Sequence, residues 1–233
     1  MSSSEAERQL DDPAWWCLAT RHGSFARGDA LARRYLGTIS PIGATSGTTP
    51  KHVAALEAIV DVGDDIGLIS PLIPSLPANW ETLYASTLKQ MIRSDRSPLP
   101  EGDIEVAKLG AADIEEMLEL VELTKPGPFR LRTIELGSYI GIRQAGRLIA
   151  MAGERMWVAS FREVSAVCTH PDVQGRGYAR GLVGRIVNRM LLRGETPILH
   201  VDNPNQRAID MYRALGFVVR TEFPLLHARR IAS

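Results

Sequence analysis

Cysteine, excess charge and long apolar runs are all scarce in this chain of 233 residues. The two cysteines, Cys17 and Cys168, lie far apart in the sequence, which gives neither a disulfide framework nor the spacing of a metal site. Lysine plus arginine number 27, as do aspartate plus glutamate, so the net charge predicts no attraction to nucleic acid. No apolar stretch approaches the length of a membrane span.

The remaining composition is that of an ordinary globular protein. Apolar residues make up 45% and charged residues 23% of the chain, which is enough to bury one large core or two modest ones. The first eight residues are polar and lack the apolar segment of a secretory signal. We therefore expect a cytoplasmic protein that partners with neither a membrane nor nucleic acid.

The most informative feature that is present is a glycine-rich turn at residues 174–180. It follows an apolar strand and leads directly into a helix. Gly175 and Gly177 allow the backbone to bend and to approach a ligand closely, and the start of the helix leaves N–H groups unpaired. Because such a helix N-terminus attracts anions, the turn predicts a phosphate-binding site.

Two common phosphate-binding motifs do not fit this turn. A P-loop requires a lysine followed by serine or threonine, and neither Gly177 nor Gly181 is followed by that pair. A dinucleotide fingerprint that starts at Gly175 requires a small residue where Arg180 stands, although Asp202 could serve as its acidic residue. Another phosphate ligand is therefore expected.

Two sequence blocks identify a better candidate. Gln174, Gly177 and Ala179 form the pattern Gln-x-x-Gly-x-Ala after a strand that ends in His-Pro. Downstream, Asn205 and Tyr212 lie seven residues apart on one face of a predicted helix. Together the blocks resemble the acetyl-CoA signature of the GNAT N-acetyltransferases, and the layout is similar to the glycine N-acyltransferase-like branch.

The order of predicted elements from residue 102 to residue 231 agrees with this resemblance. The pattern predicts a hairpin with its turn at residues 144–146 and a buried apolar stripe on the helix after the glycine turn. Asn203 is expected to cap the next helix and Gly216 to end it. Predicted strands cover residues 104–108, 139–143, 147–152 (running on toward 157), 161–169, 197–201, 217–223 and 225–231.

The resemblance implies an α/β (α+β) fold of GNAT type, with a central mixed, mostly antiparallel sheet flanked by helices. A smaller N-terminal α/β region precedes it. The polar, proline-containing stretch at residues 94–103 predicts a boundary between an accessory region, residues 1–98, and an acyl-CoA-binding catalytic domain, residues 99–233. In the first region, helices are predicted at residues 13–20, 30–35 and 52–60, and a strand at residues 66–70.

The role of the N-terminal region stays open at this stage. It could cover the acceptor cleft, stabilise the fold or form the contact of a homodimer. Trp15 and Trp16 are interpreted as core anchors rather than as residues that stack on a ligand.

The resemblance implies acetyl transfer to an amine, which needs a base for the amine and a proton for the leaving thiolate. Glu163 is the preferred base, and Glu154 or a water relay is the alternative. Tyr212 is the predicted acid, since a phenol stays protonated at neutral pH. A thiol hydrolase built on Cys168 and His170 lacks a third orienting group.

The resemblance also assigns the donor site. The backbone of residues 167–169 pairs with pantetheine, Asn205 holds the pantetheine arm, and the glycine turn binds the pyrophosphate. No metal is expected, because the spacing of His170, Asp172, His200 and Asp202 supports none. The predicted acetyl-CoA contacts are Val167, Cys168, Thr169, Gln174, Gly175, Arg176, Gly177, Tyr178, Ala179, Arg180 and Asn205.

The function predicted from the sequence is therefore acetyl-CoA-dependent N-acetyltransfer to a primary amine of a small molecule or amino acid, by direct attack in a ternary complex. A protein or peptide N-acetyltransferase and a non-catalytic acyl-CoA sensor are the alternatives. An interaction protein whose GNAT half only supports its N-terminal half is a further one. The identity of the acceptor is open.

Overall fold

The computed structural model describes residues 3–232, so residues 1, 2 and 233 of the two predicted regions lie outside it. Six α-helices flank one sheet in the described part of the chain. The helices are α1 Ser3–Gln9, α2 Pro13–Ala19, α3 Pro50–Ile59, α4 Ile114–Thr124, α5 Tyr178–Leu192 and α6 Gln206–Ala214. The strands are β1 Ala26–Gly28, β2 Ala32–Tyr35, β3 Ile42–Thr45, β4 Asp65–Ile69, β5 Trp80–Ile92, β6 Ala107–Leu109, β7 Tyr139–Gln144, β8 Arg147–Val158, β9 Phe161–Thr169, β10 Thr196–Asp202 and β11 Val218–Arg230.

All eleven strands belong to a single sheet in the order β1-β2-β3-β4-β11-β5-β10-β9-β8-β7-β6. Only β3–β4 and β9–β10 are parallel pairs, and the other neighbours are antiparallel. This confirms the predicted mixed, mostly antiparallel sheet flanked by helices.

The sheet runs across the predicted boundary between the two regions. Strand β5, from the N-terminal region, lies between β10 and β11 and is antiparallel to both. The segment after β5 is held along α5, where the Asn188 side chain bonds both the N–H and the C=O of Leu99. A division at residues 98 and 99 stays a prediction, and the two regions share one sheet.

Each face of the sheet carries its own core. Strand β10 shows the alternation, since Leu199 and Val201 belong to the cluster under α5 and α6 whereas Ile198 belongs to the cluster under α2. Helix α4 packs over the same face as α2, against Met151 and Cys168. The predicted buried stripe of α5 is confirmed, comprising Leu182, Val183, Ile186, Val187 and Met190.

The local turn chemistry agrees with the sequence. Ala145 and Gly146 both have positive φ, 49° and 82°, as a tight two-residue hairpin between β7 and β8 requires. Gly216 ends α6 with a φ of 82°. The cap of α6 was predicted at Asn203 and lies instead at Asn205, whose side chain accepts the Ala208 N–H.

Two predicted elements are wrong. Residues 30–35 were expected to be helical, but β2 occupies Ala32–Tyr35 because it pairs with β1 and β3 and buries Arg34 against Asp64. The two strands predicted on either side of Pro224 are a single strand, β11. Pairing with β4 begins only at Leu225, so at Pro224 the strand has a partner on one side, where proline is tolerated.

Candidate active site

A gap between β9 and β10 forms the centre of the site. The two parallel strands pair only at residues 161–163 and 196–198, after which they diverge. Beyond Glu163 and Ile198, β9 stays paired with β8 and β10 with β5, so their facing edges carry free backbone groups. An extended ligand can pair with such an edge as an added strand.

A β-bulge in β9 lies on the wall of this gap. Ser165 pairs with Gly153 and Cys168 with Met151, which leaves one more residue on β9 than on β8 between the two pairs. Ala166 takes up the bulge with a φ of 52°, a value that residues with a side chain rarely adopt. The bulge bends the strand just before Val167, and bulges of this kind are common next to active sites.

The glycine turn begins where the free edge of β9 ends. Gly175 and Gly177 have φ values of 81° and 80°, and a Cβ at either position would meet nothing within 4 Å. The backbone N–H groups of residues 175–180 donate to no described residue. Six free donors at the start of the 15-residue helix α5 make this turn a suitable site for an anion.

Gln174 braces the turn against its neighbours. Its amide nitrogen donates to the Thr169 carbonyl at 3.3 Å, and its amide oxygen accepts from Arg207 of α6 at 2.7 Å. Arg176 and Arg180 are exposed beside the free N–H groups. The geometry thus brings together the residues that the sequence predicts for the pyrophosphate, whose contacts with a ligand stay a prediction.

Tyr212 lies on α6 and Asn205 caps that helix, which follows β10 in the chain. The Tyr212 ring is buried edge-on against Phe217, with 6.0 Å between ring centroids. Burial, then the Glu163 carboxylate and the Cys168 thiol, raises the pKa of Tyr212 well above its ordinary value. Its hydroxyl, which bonds no described residue, therefore stays protonated and free to donate.

Glu163 lies at the closed end of the gap in a saturated network. Arg155 donates two hydrogen bonds of 2.8 Å to its carboxylate, and the Met156 N–H and His200 Nδ1 add bonds of 3.1 and 2.8 Å. Burial alone would raise the pKa of Glu163, but the Arg155 guanidinium and the hydrogen bonds outweigh it and hold the pKa well below its usual range.

The network continues through His200 into the N-terminal region. Because Nδ1 of His200 faces the carboxylate, we assign its proton there, which leaves Nε2 to accept from the Gln90 amide at 3.1 Å. Gln90 also donates to the carbonyl of Leu10 and accepts from Arg220. The side-chain polar atoms of Glu163, His200 and Gln90 therefore all have hydrogen-bond partners within the fold.

The alternative base, Glu154, also has cationic partners. It is 1% exposed and lies within 2.7 Å of Arg193 and 3.3 Å of Arg162, on the α5 side of the sheet. Both carboxylates considered from the sequence are therefore engaged by arginine side chains. The sequence offered little sign of this, since Arg155 and Arg162 stand in strands whose pairing was unknown.

The two cysteines considered from the sequence are both buried. Burial raises the pKa of the Cys168 thiol to about 11, so at neutral pH it is a small core side chain. Cys17 is also a buried free thiol.

Residues 3–232 contain no group of histidine, cysteine or acidic side chains placed to hold a metal ion. None of their helices is both long and apolar enough to span a membrane.

Comparison with known proteins agrees with this geometry. The profile of the FR47-like protein family matches residues 139–224. The solved structure of an acetyltransferase of the GNAT family from Novosphingobium aromaticivorans DSM 12444 is 33% identical, with a TM-score of 0.87, over 96% of this chain and 99% of that one. A GCN5-related N-acetyltransferase from Kribbella flavida shares the fold, at 15% identity and a TM-score of 0.62, over 100% of this chain and 96% of that one.

A curated relative matches a shorter stretch. The L-amino acid N-acyltransferase MnaT of Escherichia coli (strain K12) is 32% identical over 60 residues, which are 25% of this chain and 35% of the relative. The match thus spans about a third of that protein's length. The full-length likeness to the Novosphingobium structure, together with the family profile, decides the assignment. The chain belongs to the GNAT family of acetyltransferases, which transfer an acyl group from acyl-CoA.

Proposed function

We propose that the protein transfers an acetyl group from acetyl-CoA to a primary amine of a small molecule or amino acid, by direct attack within a ternary complex. The observation that carries this proposal is the gap between β9 and β10, whose free edge leads directly into the six unpaired N–H groups of the glycine turn. A ligand with an amide-containing arm and a pyrophosphate matches both features.

The donor site is then built mainly from the backbone. The edge of residues 167–169 pairs with the pantetheine amides, and the N–H groups of residues 175–180 bind the pyrophosphate, with Arg176 and Arg180 adding positive charge. The Asn205 side-chain oxygen is used in capping α6, so its amide nitrogen is the part that is free to hold the pantetheine arm. Bound acetyl-CoA supplies an activated thioester.

Tyr212 serves the leaving group. Its protonated hydroxyl donates a hydrogen bond to the sulfur as negative charge develops there, and then supplies the proton. The pKa of Tyr212 lies above that of an ordinary phenol, so the hydrogen bond matters more than early proton transfer. The backbone N–H of Val167, beside the bulge, is proposed to bind the carbonyl oxygen.

The amine must also lose a proton. The Glu163 carboxylate lies at the inner end of the gap, but Arg155, Met156 and His200 occupy its acceptor positions. We therefore favour a route in which water carries the proton, with Glu163 acting on the site through His200 rather than by touching the amine. Glu163 as a direct base remains a proposal for mutation to decide.

The small-molecule or amino-acid acceptor draws support from the MnaT relative, which is named for acting on L-amino acids. A peptide acceptor and a non-catalytic sensor are the competing outcomes. All three share the donor site, so the test must separate donor binding from turnover.

The decisive test is calorimetric titration with acetyl-CoA. Wild type should bind with a saturable heat, and Gly177→Trp should lose binding because the indole fills the turn. Gly63→Trp is the matched control, since Gly63 also has a positive φ, 93°, and open space around its Cβ. The absence of binding to any acyl-CoA by wild type would refute the proposal.

Turnover is then measured as thiol release with amino acids, alkyl amines and peptides. Release with small amines and none with peptides is the expected result. Release confined to peptides would move the activity to the peptide class. Saturable binding without release for every acceptor would identify a sensor.

A further inference from the structure

Asp202 is a carboxylate without a cationic partner. It ends β10, and its two oxygens accept hydrogen bonds of 2.5 Å from the hydroxyls of Tyr84 and Ser86 on β5. No lysine, arginine or histidine among the described residues lies within ion-pair distance of it. Neutral donors orient the carboxylate and leave its charge uncompensated.

The neighbouring carboxylates of this face differ from Asp202 in that respect. Strand alternation places Asp202 on the same face as His200, and therefore as Glu163. Glu163 is paired with Arg155, and farther along the sheet Asp65 is paired with Arg130. Asp202 differs from Glu163 and Asp65 because it has no cationic side chain as a partner.

Its position connects this charge with the proposed reaction. Asp202 lies four residues beyond Ile198, where β9 and β10 stop pairing, so it stands at the open end of the gap, roughly 13 Å from the closed end. It is partly buried, while Tyr84 beside it is 44% exposed. A half-desolvated charge at an accessible opening is stabilised by any cation that binds there.

We propose that Asp202 binds the ammonium group of the acceptor, so that the substrate class is an alkyl amine that enters protonated. This inference rests on the proposed function, because it assigns the acceptor side of the same gap. Tyr84 and Ser86 hold the carboxylate in place. The amine loses its proton only after it moves from Asp202 toward the thioester position.

The test compares ammonium probes with neutral isosteres. The complex with CoA, which cannot transfer an acetyl group, is titrated at pH 7 with n-butylamine and 2-phenylethylamine and with 1-butanol and 2-phenylethanol, followed by ligand-observed NMR. Wild type should bind at least one amine about 10-fold more tightly than its alcohol, the discrimination that one ion pair worth about 1.4 kcal/mol provides. Asp202→Asn should reduce this preference to about 2-fold or less.

Asp61→Asn is the matched control, since Asp61 is an exposed carboxylate that pairs with Arg27 on the surface. It should keep the full preference. The double variant Tyr84→Phe with Ser86→Ala keeps the charge and loses its orientation, so a preference reduced but still present is expected. CoA affinity, measured in each variant, checks that the site is folded.

Two results would overturn the assignment of Asp202. One is a wild type that prefers no amine to its alcohol, and the other is an Asp202→Asn variant that keeps the preference. The titrations are repeated without CoA. A protein that failed to bind CoA would contradict the proposed function, while the amine-to-alcohol comparison would still decide the role of Asp202.

Discussion

The Glu163 carboxylate accepts a hydrogen bond of 2.8 Å from Nδ1 of His200, across the point at which β9 and β10 separate. The two side chains are each about 1% exposed, and Arg155 closes the group with its guanidinium. This contact joins the two arms of the gap just where their backbone hydrogen bonds end. The closed end of the gap is therefore fixed by side chains.

Glu163→Gln should destabilise the protein by about 3 kcal/mol, because it leaves the Arg155 cation buried without its counter-ion. The measurement is the free energy of unfolding in urea. Glu135→Gln is the control, since Glu135 pairs with Arg132 on the surface and should change stability by no more than about 0.5 kcal/mol. Equal effects of the two substitutions would contradict the structural role of Glu163.

Tyr212→Phe should lower kcat about 100-fold and leave acetyl-CoA affinity unchanged, because it removes only the hydroxyl that we propose to serve the departing sulfur. Steady-state kinetics with calorimetry separates the two quantities. Tyr139→Phe is a matched control, since the Tyr139 hydroxyl is buried and has no hydrogen-bond partner among the described residues. Unchanged kcat in Tyr212→Phe would leave the ring with only its packing role.

His22 should make stability depend on pH. Burial, aided by the Arg162 cation, lowers the pKa of His22 from 6.5 to about 4. A group with a depressed folded pKa contributes stability that is complete above its unfolded pKa and is lost as the pH falls, here between about 6.5 and 4. The loss should be on the order of 3 kcal/mol.

The measurement for His22 is the difference in unfolding free energy between wild type and His22→Gln across that pH range. Taking the difference removes the contribution of Asp12, whose pKa burial raises to about 6 and which therefore acts in the opposite direction. A difference that does not change with pH would show that His22 is not held neutral by the fold.

Gly184→Ala should destabilise the protein, although alanine favours helices by about 1 kcal/mol over glycine. A Cβ at residue 184 would lie 2.8 Å from the Pro100 carbonyl oxygen, so the segment packed on α5 would have to move. We expect a net loss of about 1–2 kcal/mol in thermal or urea unfolding. Gly181→Ala, with a nearest contact of 3.1 Å, should cost less. A stabilised Gly184→Ala variant would mean that the segment adapts freely.

Much of the proposed donor site could be predicted from the sequence because its signals are local. The two glycines of the turn, the stripe of α5 and the tight turn at residues 144–146 depend on neighbours within a few positions. The helix that carries Tyr212 was predicted in the same way, and only its cap lies two residues later than predicted. Backbone geometry of this kind is determined by the residues at that position.

The proposed acceptor side, by contrast, depends on pairing between distant segments. Nothing near residues 80–92 indicates that β5 inserts between β10 and β11, because the partners lie more than 100 residues away. The same holds for β2, whose residues became a strand through pairing with β1 and β3. Which strands pair across such long separations depends on how all the strands of the sheet fit together.

The charged groups show most clearly which features follow from the sequence and which depend on the tertiary structure. The sequence by itself determined that Glu163 stands on a predicted strand and that Asp202 follows the end of another. The glycine turn with its free N–H groups follows from residues 174–180 alone. Only the tertiary structure decided that Glu163 has Arg155 and His200 as partners while Asp202 has two neutral hydroxyls. The physical reason is that the partner of a charged side chain stands on another strand, often far away in the sequence, and only folding brings the two strands together.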